Sequence, residues 1–212
     1  GMGTSILTEQ WQRDANFDYE RLNPSYGDSD SDIDELRTEP SPVERALRRV
    51  MRVLNRRKSE PTSEPVALPG ETLHGIDFCR RRLDDSDFTG ADLQFANFVG
   101  ARLTRCQFEN ADMRNANMAE ADFSGADMRG ADMRGANLIG ANFSGADLRR
   151  ANLSGAYIWG ADFNDADLHD TDLTGAYAGG ALFSHARNLT LEQFRSTIHD
   201  ETGAYRLSML PN

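Results

Sequence analysis

Residues 121–155 have the sequence "ADFSGADMRGADMRGANLIGANFSGADLRRANLSG", and this stretch decides the fold. A large apolar residue recurs at every fifth position from Phe123 to Leu153, and Ala stands two places before each of them. Asp or Asn lies between the two, and Gly closes most of the units. A period of five fits neither the α-helix nor the β-strand. The stretch therefore predicts a chain that turns a corner every five residues.

The same unit extends in both directions, without a slip, from Ile76 to His185, which amounts to 22 repeats. We expect the large residue and the small one before it to point inward, while the other three face water. Where four walls meet, only Ala, Ser, Thr or Cys fits at the small position. Four sides then close a coil of twenty residues, and β-bridges between coils set a rise of about 4.8 Å. The repeats predict a rod roughly 26 Å long by the same spacing.

The letters of this unit resemble the A(D/N)Lxx pattern of the pentapeptide repeat family. Over residues 121–155 the match is almost letter for letter. The resemblance implies an all-β solenoid, a right-handed quadrilateral β-helix, which here would span residues 71–186. It leaves the function open, because the family is diverse.

The amino-acid composition and net charge limit the classes of partner that the chain can bind. The 212 residues are 39% hydrophobic, and 23 Lys and Arg face 34 Asp and Glu for a net charge of −11. Because phosphate contacts need a basic surplus, we expect no direct nucleic-acid binding by the solenoid. No apolar run approaches a membrane span and no signal peptide is visible, so a cytoplasmic protein is predicted. The register predicts that Cys106 points inward and Cys79 outward, which excludes a disulfide between them.

Repeats that lie twenty residues apart fall on the same side of the tube, which gives four faces. We number them from the face that contains Ile158. On face 2 the inward residues Phe123, Phe143, Phe163 and Phe183 should stack as a ladder. The outward residues of faces 2, 3 and 4 are mostly polar. Face 1 alone has an apolar outer stripe, which is typical of an interface or of a surface covered by the same chain. The candidate interaction stripe comprises Val99, Ile139, Tyr157, Trp159 and Tyr177.

Charge is uneven along the rod. Residues 71–186 hold 18 acids and 10 bases, but no Lys or Arg occurs between Ala151 and Ala186. In the middle of the rod Asp112, Asp127 and Asp132 each have an Arg two residues on, which predicts a neutralised surface. The candidate acidic patch lies in the later coils, although a solvated face that aids solubility is an alternative. It consists of Asp162, Asp165, Asp167, Asp170 and Asp172.

The residues before the repeats divide into three segments. Residues 1–40 include an acidic stretch rich in Pro and Ser, which predicts a disordered tether. Residues 41–58, the basic segment, are predicted to form an amphipathic helix that starts with a capping box of Ser41 and Glu44 and with Pro42 at its first position. Residues 59–70 are predicted as a linker. The basic side of the helix holds Arg45, Arg48, Arg49, Arg52, Arg56 and Arg57.

A basic amphipathic helix can lie on a membrane, bind nucleic acid or dock on an acidic partner. Here the same chain contains a partner. A helix of about 14 residues spans roughly 21 Å, about the height of four coils. We therefore predict that the basic segment docks along the apolar stripe of face 1.

Residues 187–212 are predicted as a helical cap and tail. Thr190 and Gln193 form a second capping box, with Leu191, Phe194 and Ile198 on one side of the helix. A solenoid needs a lid over its hydrophobic end, so we expect this helix to close the tube, with residues of the tail packed beside it.

No catalytic constellation is apparent. The four histidines are scattered, and no Cys/His metal spacing or phosphate-binding loop occurs. We predict no catalytic residues, no metal and no cofactor.

The leading functional prediction is a non-enzymatic protein–protein interaction scaffold with an unidentified protein partner, and a homodimer through the C-terminal cap or the apolar stripe is possible. The alternative is DNA mimicry, since the resemblance extends to acidic, rod-like inhibitors of DNA gyrase. The 71–186 segment carries net −8 over the rod, which is only about half the charge density of duplex DNA.

Overall fold

The five-residue unit organises a four-sided tube. The computed structural model describes residues 65–198. Residues twenty apart form parallel β-bridges, from Ala67 with Asp87 to Asp167 with Arg187. Each bridge is a single residue long, so the walls consist of short rungs rather than of extended strands. The predicted coil of twenty residues is confirmed by this register.

Backbone hydrogen bonds join each coil to the next in a repeating scheme. The N–H of Phe143 donates to the carbonyl of Asp162 at 2.7 Å, and the N–H of Asp162 donates to the carbonyl of Ala141 at 2.9 Å. Between successive units, the N–H of Ala146 donates back to the carbonyl of Phe143 at 2.9 Å and closes the corner turn. The walls of the tube therefore satisfy their own peptide groups, as a buried wall must.

The residue types at two positions of the repeat unit are explained by the local backbone conformation. The last residue of each unit takes a positive φ, for example 67° at Gly145 and 57° at Asp170. Glycine adopts this conformation without a steric penalty, and Asp and Asn tolerate it better than most residues do. The Asp or Asn of the unit bonds to the backbone two residues on, as when Asn142 Oδ1 accepts from the N–H of Ser144 at 2.9 Å. Such side-chain turns hold the corner.

The core is a column of stacked side chains inside the tube. The predicted phenylalanine ladder of face 2 is confirmed, with ring centroids 5.1 Å apart for Phe123 and Phe143 and 5.2 Å apart for each following pair. Phe88 and Phe108 stack in the same way on face 3, at 5.0 Å. The alanines beside the large residues are likewise buried. This tight packing explains why only small residues occur at that position.

The tube begins earlier than its predicted boundary at residue 71. Val66 and Leu68 are buried members of the core, and the N–H of Val66 donates to Ser86 Oγ at 2.9 Å. The β-helix thus extends five residues into the predicted linker 59–70. The tether 1–40, the basic segment and the tail from residue 199 lie outside the described residues.

A short helix, α1 at Leu191–Arg195, closes the C-terminal end. The predicted capping box is present, with the Thr190 side chain accepting from the backbone of Gln193 and the Gln193 side chain accepting from that of Thr190. Gln193 Nε2 also donates to the carbonyls of Leu168 and Thr171, both at 2.8 Å. Phe194 lies edge-on to Phe183, with ring centroids 6.0 Å apart. These contacts seal the last coil.

One part of the cap prediction is wrong. Leu191 and Ile198 do not pack with Phe194, since they are 41% and 45% exposed. The helix is only five residues long, and the chain returns to the wall at Ile198, which forms a bridge with Tyr177. Bridge residues of the wall point their side chains outward, so Ile198 lies on the outer surface.

Candidate functional site

The outer wall of face 1 carries an aromatic cluster in the later coils. It consists of Ile139, Tyr157, Trp159 and Tyr177. The rings of Tyr157 and Tyr177 are stacked, with centroids 4.8 Å apart and planes 9° from parallel. Ile139 and Tyr157 are only 7% and 6% exposed, although both lie outside the tube. The structure therefore brings together four of the five residues of the predicted stripe.

Trp159 owes its position to a glycine in the next coil. A Cβ atom added at Gly179 would collide with the six-membered part of the Trp159 indole, so the ring lies directly against the Gly179 backbone. Gly179 and Trp159 occupy the same repeat position twenty residues apart. Gly179 is not among the residues that the sequence singled out for the stripe. Sorting outer positions by twenty and seeking a large residue beside a small one would have found it.

Val99, the fifth residue of the predicted stripe, is not part of this cluster. It is half-buried and lies two coils before Ile139 on the same face. Ala119 lies between the two, and in the neighbouring column Asn137 Nδ2 donates to Asn117 Oδ1 at 3.1 Å. Asn137 is 0% exposed and Asn117 is 9% exposed. The expectation that every outer position faces water is therefore wrong on face 1.

Faces 3 and 4 present a contrasting outer surface of arginine–aspartate pairs. In each pair the Arg follows the Asp by two residues and donates to both carboxylate oxygens, as Arg149 does to Asp147 from Nε at 2.8 Å and from the terminal nitrogen at 2.6 Å. These hydrogen bonds lower the pKa of Asp147. At Asp132 burial favours the neutral acid, but the hydrogen bonds from Arg134 outweigh it and the pKa is also lowered. The predicted neutralised mid-rod surface is confirmed in the four pairs Asp112–Arg114, Asp127–Arg129, Asp132–Arg134 and Asp147–Arg149.

The candidate acidic patch is not gathered on one face. Asp162 lies on face 2, Asp167 on face 3 and Asp172 on face 4, and the corners between these faces hold Asp165 and Asp170. Each residue also has a place in the repeat. Asp162, Asp167 and Asp172 accept from the backbone N–H two residues on, at 2.9, 3.2 and 2.9 Å. Asp165 and Asp170 occupy positive-φ corners. The five acids therefore ring half of one coil, because residues adjacent in sequence follow the turn of the tube.

A shallow groove follows the outside of face 3 and its corner with face 4. Sequence analysis missed it, although its residues lie at twenty-residue intervals, which is the signal that could have found it. Two of its arginines are held by acids: Arg149 contacts Asp147, and Arg129 contacts Glu109 at 2.9 Å as well as Asp127. The neighbouring carboxylates raise the pKa of Arg129. Seven residues line the groove: Glu109, Asn110, Arg129, Gly130, Arg149, Arg150 and His169.

The two cysteines lie as predicted and are both free. Cys106 is buried at a small inward position, its Sγ donates to the carbonyl of Leu83 at 2.9 Å, and burial raises the pKa of its thiol to about 12. Cys79 is partly exposed on the outer wall of face 1. Cys106 is therefore unreactive near neutral pH, whereas Cys79 is accessible.

Within residues 65–198 no three His, Cys, Asp or Glu side chains are close enough together to hold a metal ion. No helix in this range has the length and apolarity needed to cross a membrane.

Among proteins of known structure, the chain is similar to several with the same kind of repeat. A pentapeptide repeat protein from the Arabidopsis thaliana thylakoid lumen is 28% identical, with a TM-score of 0.36 and alignment of 59% of this chain and 73% of that one. QnrB1, a plasmid-mediated fluoroquinolone resistance protein, is 21% identical at a TM-score of 0.38, covering 64% and 78% of the two chains. HetL, which is involved in heterocyst differentiation regulation in the cyanobacterium Nostoc, is 22% identical at a TM-score of 0.30, covering 65% and 81%. No curated protein matches the chain.

The repeat itself is matched directly. The family model for pentapeptide repeats fits the chain over residues 73–107, 82–118, 116–155 and 151–187, more than half of its length. These are the residues whose corners, bridges and inward columns form the tube. This chain belongs to the pentapeptide repeat family.

Proposed function

We propose that this protein is a non-enzymatic scaffold that binds a protein partner through the outer wall of face 1. The observation that supports this most is the aromatic cluster of Ile139, Tyr157, Trp159 and Tyr177 on one face of a tube whose other three outer walls are mostly polar. Aromatic residues clustered on a rigid support are typical of the centre of protein interfaces. The tube supplies that rigidity, because every fifth residue anchors the wall in its core.

The surroundings of the cluster favour a partner segment that is both apolar and basic. Asp162 lies on face 2, beside face 1 on one side, and Asp172 lies on face 4, on the other side. No Lys or Arg occurs between Ala151 and Ala186 to neutralise them. An amphipathic helix with one apolar side and an arginine-rich side matches this surface in both respects.

The test compares affinity capture by the wild type with capture by Trp159→Arg. The same outer position holds Arg in the repeats of Arg114, Arg129, Arg134 and Arg149, so the substitution is compatible with the fold. Thr174→Arg is the matched control, because it places Arg at this position of face 4. We expect the partner to bind the control normally and Trp159→Arg at least roughly thirtyfold more weakly, as for a residue at the centre of an interface.

A captured protein should then be purified and titrated against all three chains. Equal affinity for the wild type and Trp159→Arg would refute the proposed site. Loss of binding in both variants would point to charge at a distance rather than to the aromatic cluster.

Mimicry of DNA by an acidic surface is the alternative function, and the charge distribution does not favour it. The mid-rod aspartates are paired with arginines, and the acids from Asp162 to Asp172, of which Asp170 contacts His169, ring half of one coil instead of following the rod. We expect no inhibition of DNA gyrase supercoiling by micromolar pure protein. Inhibition that is lost on neutralising Asp162, Asp167 and Asp172 together would instead favour mimicry. A cytoplasmic location and a homodimer remain predictions.

A further inference from the structure

We propose that the basic segment, residues 41–58 of this same chain, lies along the outer wall of face 1 and covers the asparagine column and the aromatic cluster. The segment would act as an intramolecular ligand that a protein partner must displace. The docking itself does not depend on the proposed function, whereas its regulatory consequence does.

The first argument is the burial of outer positions on face 1. Asn137 is 0% exposed, whereas Asn142 on face 2 and Asn152 on face 4, at the same repeat position, are only half-buried. Tyr157 accounts for part of this cover, since it is the next residue in the Asn137 column. It cannot account for Asn117, which is 9% exposed with only asparagines in the coils before and after it. The burial of Asn117 therefore favours a further element over the middle of face 1.

The second argument is where the chain enters the tube. The first rung is at Ala67, so the residues between the basic segment and the described chain number only six, 59–64. Six residues span at most about 20 Å when fully extended. The carboxyl end of the segment must therefore stay close to the first coils. A segment that lies along face 1 from there has its amino end toward the later coils.

The third argument is the match of length and chemistry. The apolar residues from Val43 to Leu54 span roughly 17 Å as a helix. Three to four coils, the distance from Cys79 to the level of Ile139 and Trp159, span roughly 14–19 Å. The apolar side of the helix would cover Ile139 and Tyr157, while its arginines reach acids flanking face 1, such as Glu120, Asp122 and Asp162. An isolated helix of this length is marginal in water, so it gains its stability from such a contact.

Hydrogen–deuterium exchange of the full chain tests the docking. In the wild type we expect the amides of residues 43–57 to exchange at least about tenfold more slowly than in an unstructured peptide. Ile139→Arg should bring them within about twofold of the unstructured rate, because a charge then lies under the apolar side of the helix. Ser124→Arg, at the same repeat position on face 2, should leave the protection unchanged.

Protection that survives Ile139→Arg, or that is absent from the wild type, would overturn the proposal. So would protection that disappears on dilution, because the segment would then belong to a second copy of the chain. None of these measurements uses a partner protein, so a failed docking test and a failed partner test are separate results.

Crosslinking through the natural thiol Cys79 tests the direction of the helix. With Asn55→Cys, a short bismaleimide should join the new thiol to Cys79 within one chain. With Glu44→Cys, about 16 Å further along the helix, it should not. The buried Cys106 does not compete. Equal crosslinking of both variants, or crosslinking only from position 44, would contradict the proposed placement.

Discussion

Faces 1 and 3 of the tube are alike inside and different outside. Both bury large apolar side chains in successive coils, from Phe78 to Ile158 on face 1 and from Leu68 to Leu168 on face 3. On the outer side, face 3 carries Asp–Arg pairs that neutralise one another, whereas face 1 carries asparagines followed by aromatic rings. The repeat therefore constrains the inner wall and the corners, while outer positions are free to differ from face to face. A binding surface can be built on one face without altering the tube.

We expect the largest loss of stability from a substitution in the inner wall. Phe123 is fully buried and its ring stacks on Phe143 at 5.1 Å. We expect Phe123→Ala to lower the free energy of unfolding by about 3–5 kcal/mol, because it leaves a cavity in a closely packed column. Ser124→Ala, the next residue but outside the tube, should change it by less than about 0.5 kcal/mol. Chemical denaturation measures both, and similar losses would contradict the division between inner and outer wall.

A smaller effect is expected where the outer wall of face 1 is closely packed. Gly179→Ala should force the Trp159 ring off the wall and lower the free energy of unfolding by about 1–2 kcal/mol. Trp159 fluorescence should shift to longer wavelength as the ring becomes hydrated. Thr174→Ala leaves the same methyl side chain at the same repeat position on face 4 and should shift neither quantity. An unchanged spectrum in Gly179→Ala would mean that the ring is not held against the backbone.

At the corners, we expect substitutions to change stability only through the backbone conformation that they favour. Gly145 has a φ of 67°, and a Cβ added there meets nothing within 4 Å. Gly145→Ala should therefore lower the free energy of unfolding by about 1 kcal/mol through left-handed strain alone. Arg150→Gly, at a corner with a φ of 60°, should raise it by up to about 1 kcal/mol for the same reason. Thermal unfolding of the two variants tests this, and changes of the same sign would be inconsistent with it.

We expect the smallest change in stability from a substitution in the charged outer wall of face 3. Asp147→Asn keeps a side chain that can hold the turn, as Asn142 does, but removes the charge that Arg149 contacts. The folded pKa of Asp147 lies below its unfolded value of about 3.9, so the pair stabilises the fold above that pH. This stabilisation is lost as pH falls through the folded pKa. For a partly exposed pair it should stay below about 1 kcal/mol at pH 7.

The measurement is the difference in unfolding free energy between the wild type and Asp147→Asn from pH 7 downward. The difference should shrink toward zero as pH falls well below 4. A difference that is independent of pH would show that the side-chain shape matters and the charge does not.

Most of the fold could be predicted because its causes lie within five residues. The inward Phe123, the corner Gly145 and the turn-forming Asn142 are each explained by their own unit. The five-residue period, the inward-facing residues and the Phe ladder of face 2 could therefore be predicted from the amino-acid sequence. The capping box of Thr190 and Gln193 is local in the same sense. The start of the tube at Val66 was missed, because Val66 and Glu71 stand at the position where later units have alanine.

The candidate site could be predicted only in part, because outer neighbours are twenty residues apart. Ile139, Tyr157, Trp159 and Tyr177 were found by sorting the sequence at that interval. The contact of Trp159 with Gly179 depends on ring orientation, which the interval does not provide. The five aspartates looked like one patch because they are adjacent in sequence, whereas successive units turn onto different faces.

The repeat alone is sufficient to establish a four-sided tube, since the volume of its inward residues, the positive φ at its corners and its side-chain turns are properties of short stretches. The tertiary structure decided which outer side chains meet. Coil stacking places Tyr157 on Tyr177 and Trp159 on Gly179, wraps the acids from Asp162 to Asp172 around half a coil, and turns Ile198 outward after a single short helix. Those contacts join positions one coil apart, so they exist only once the tube has closed.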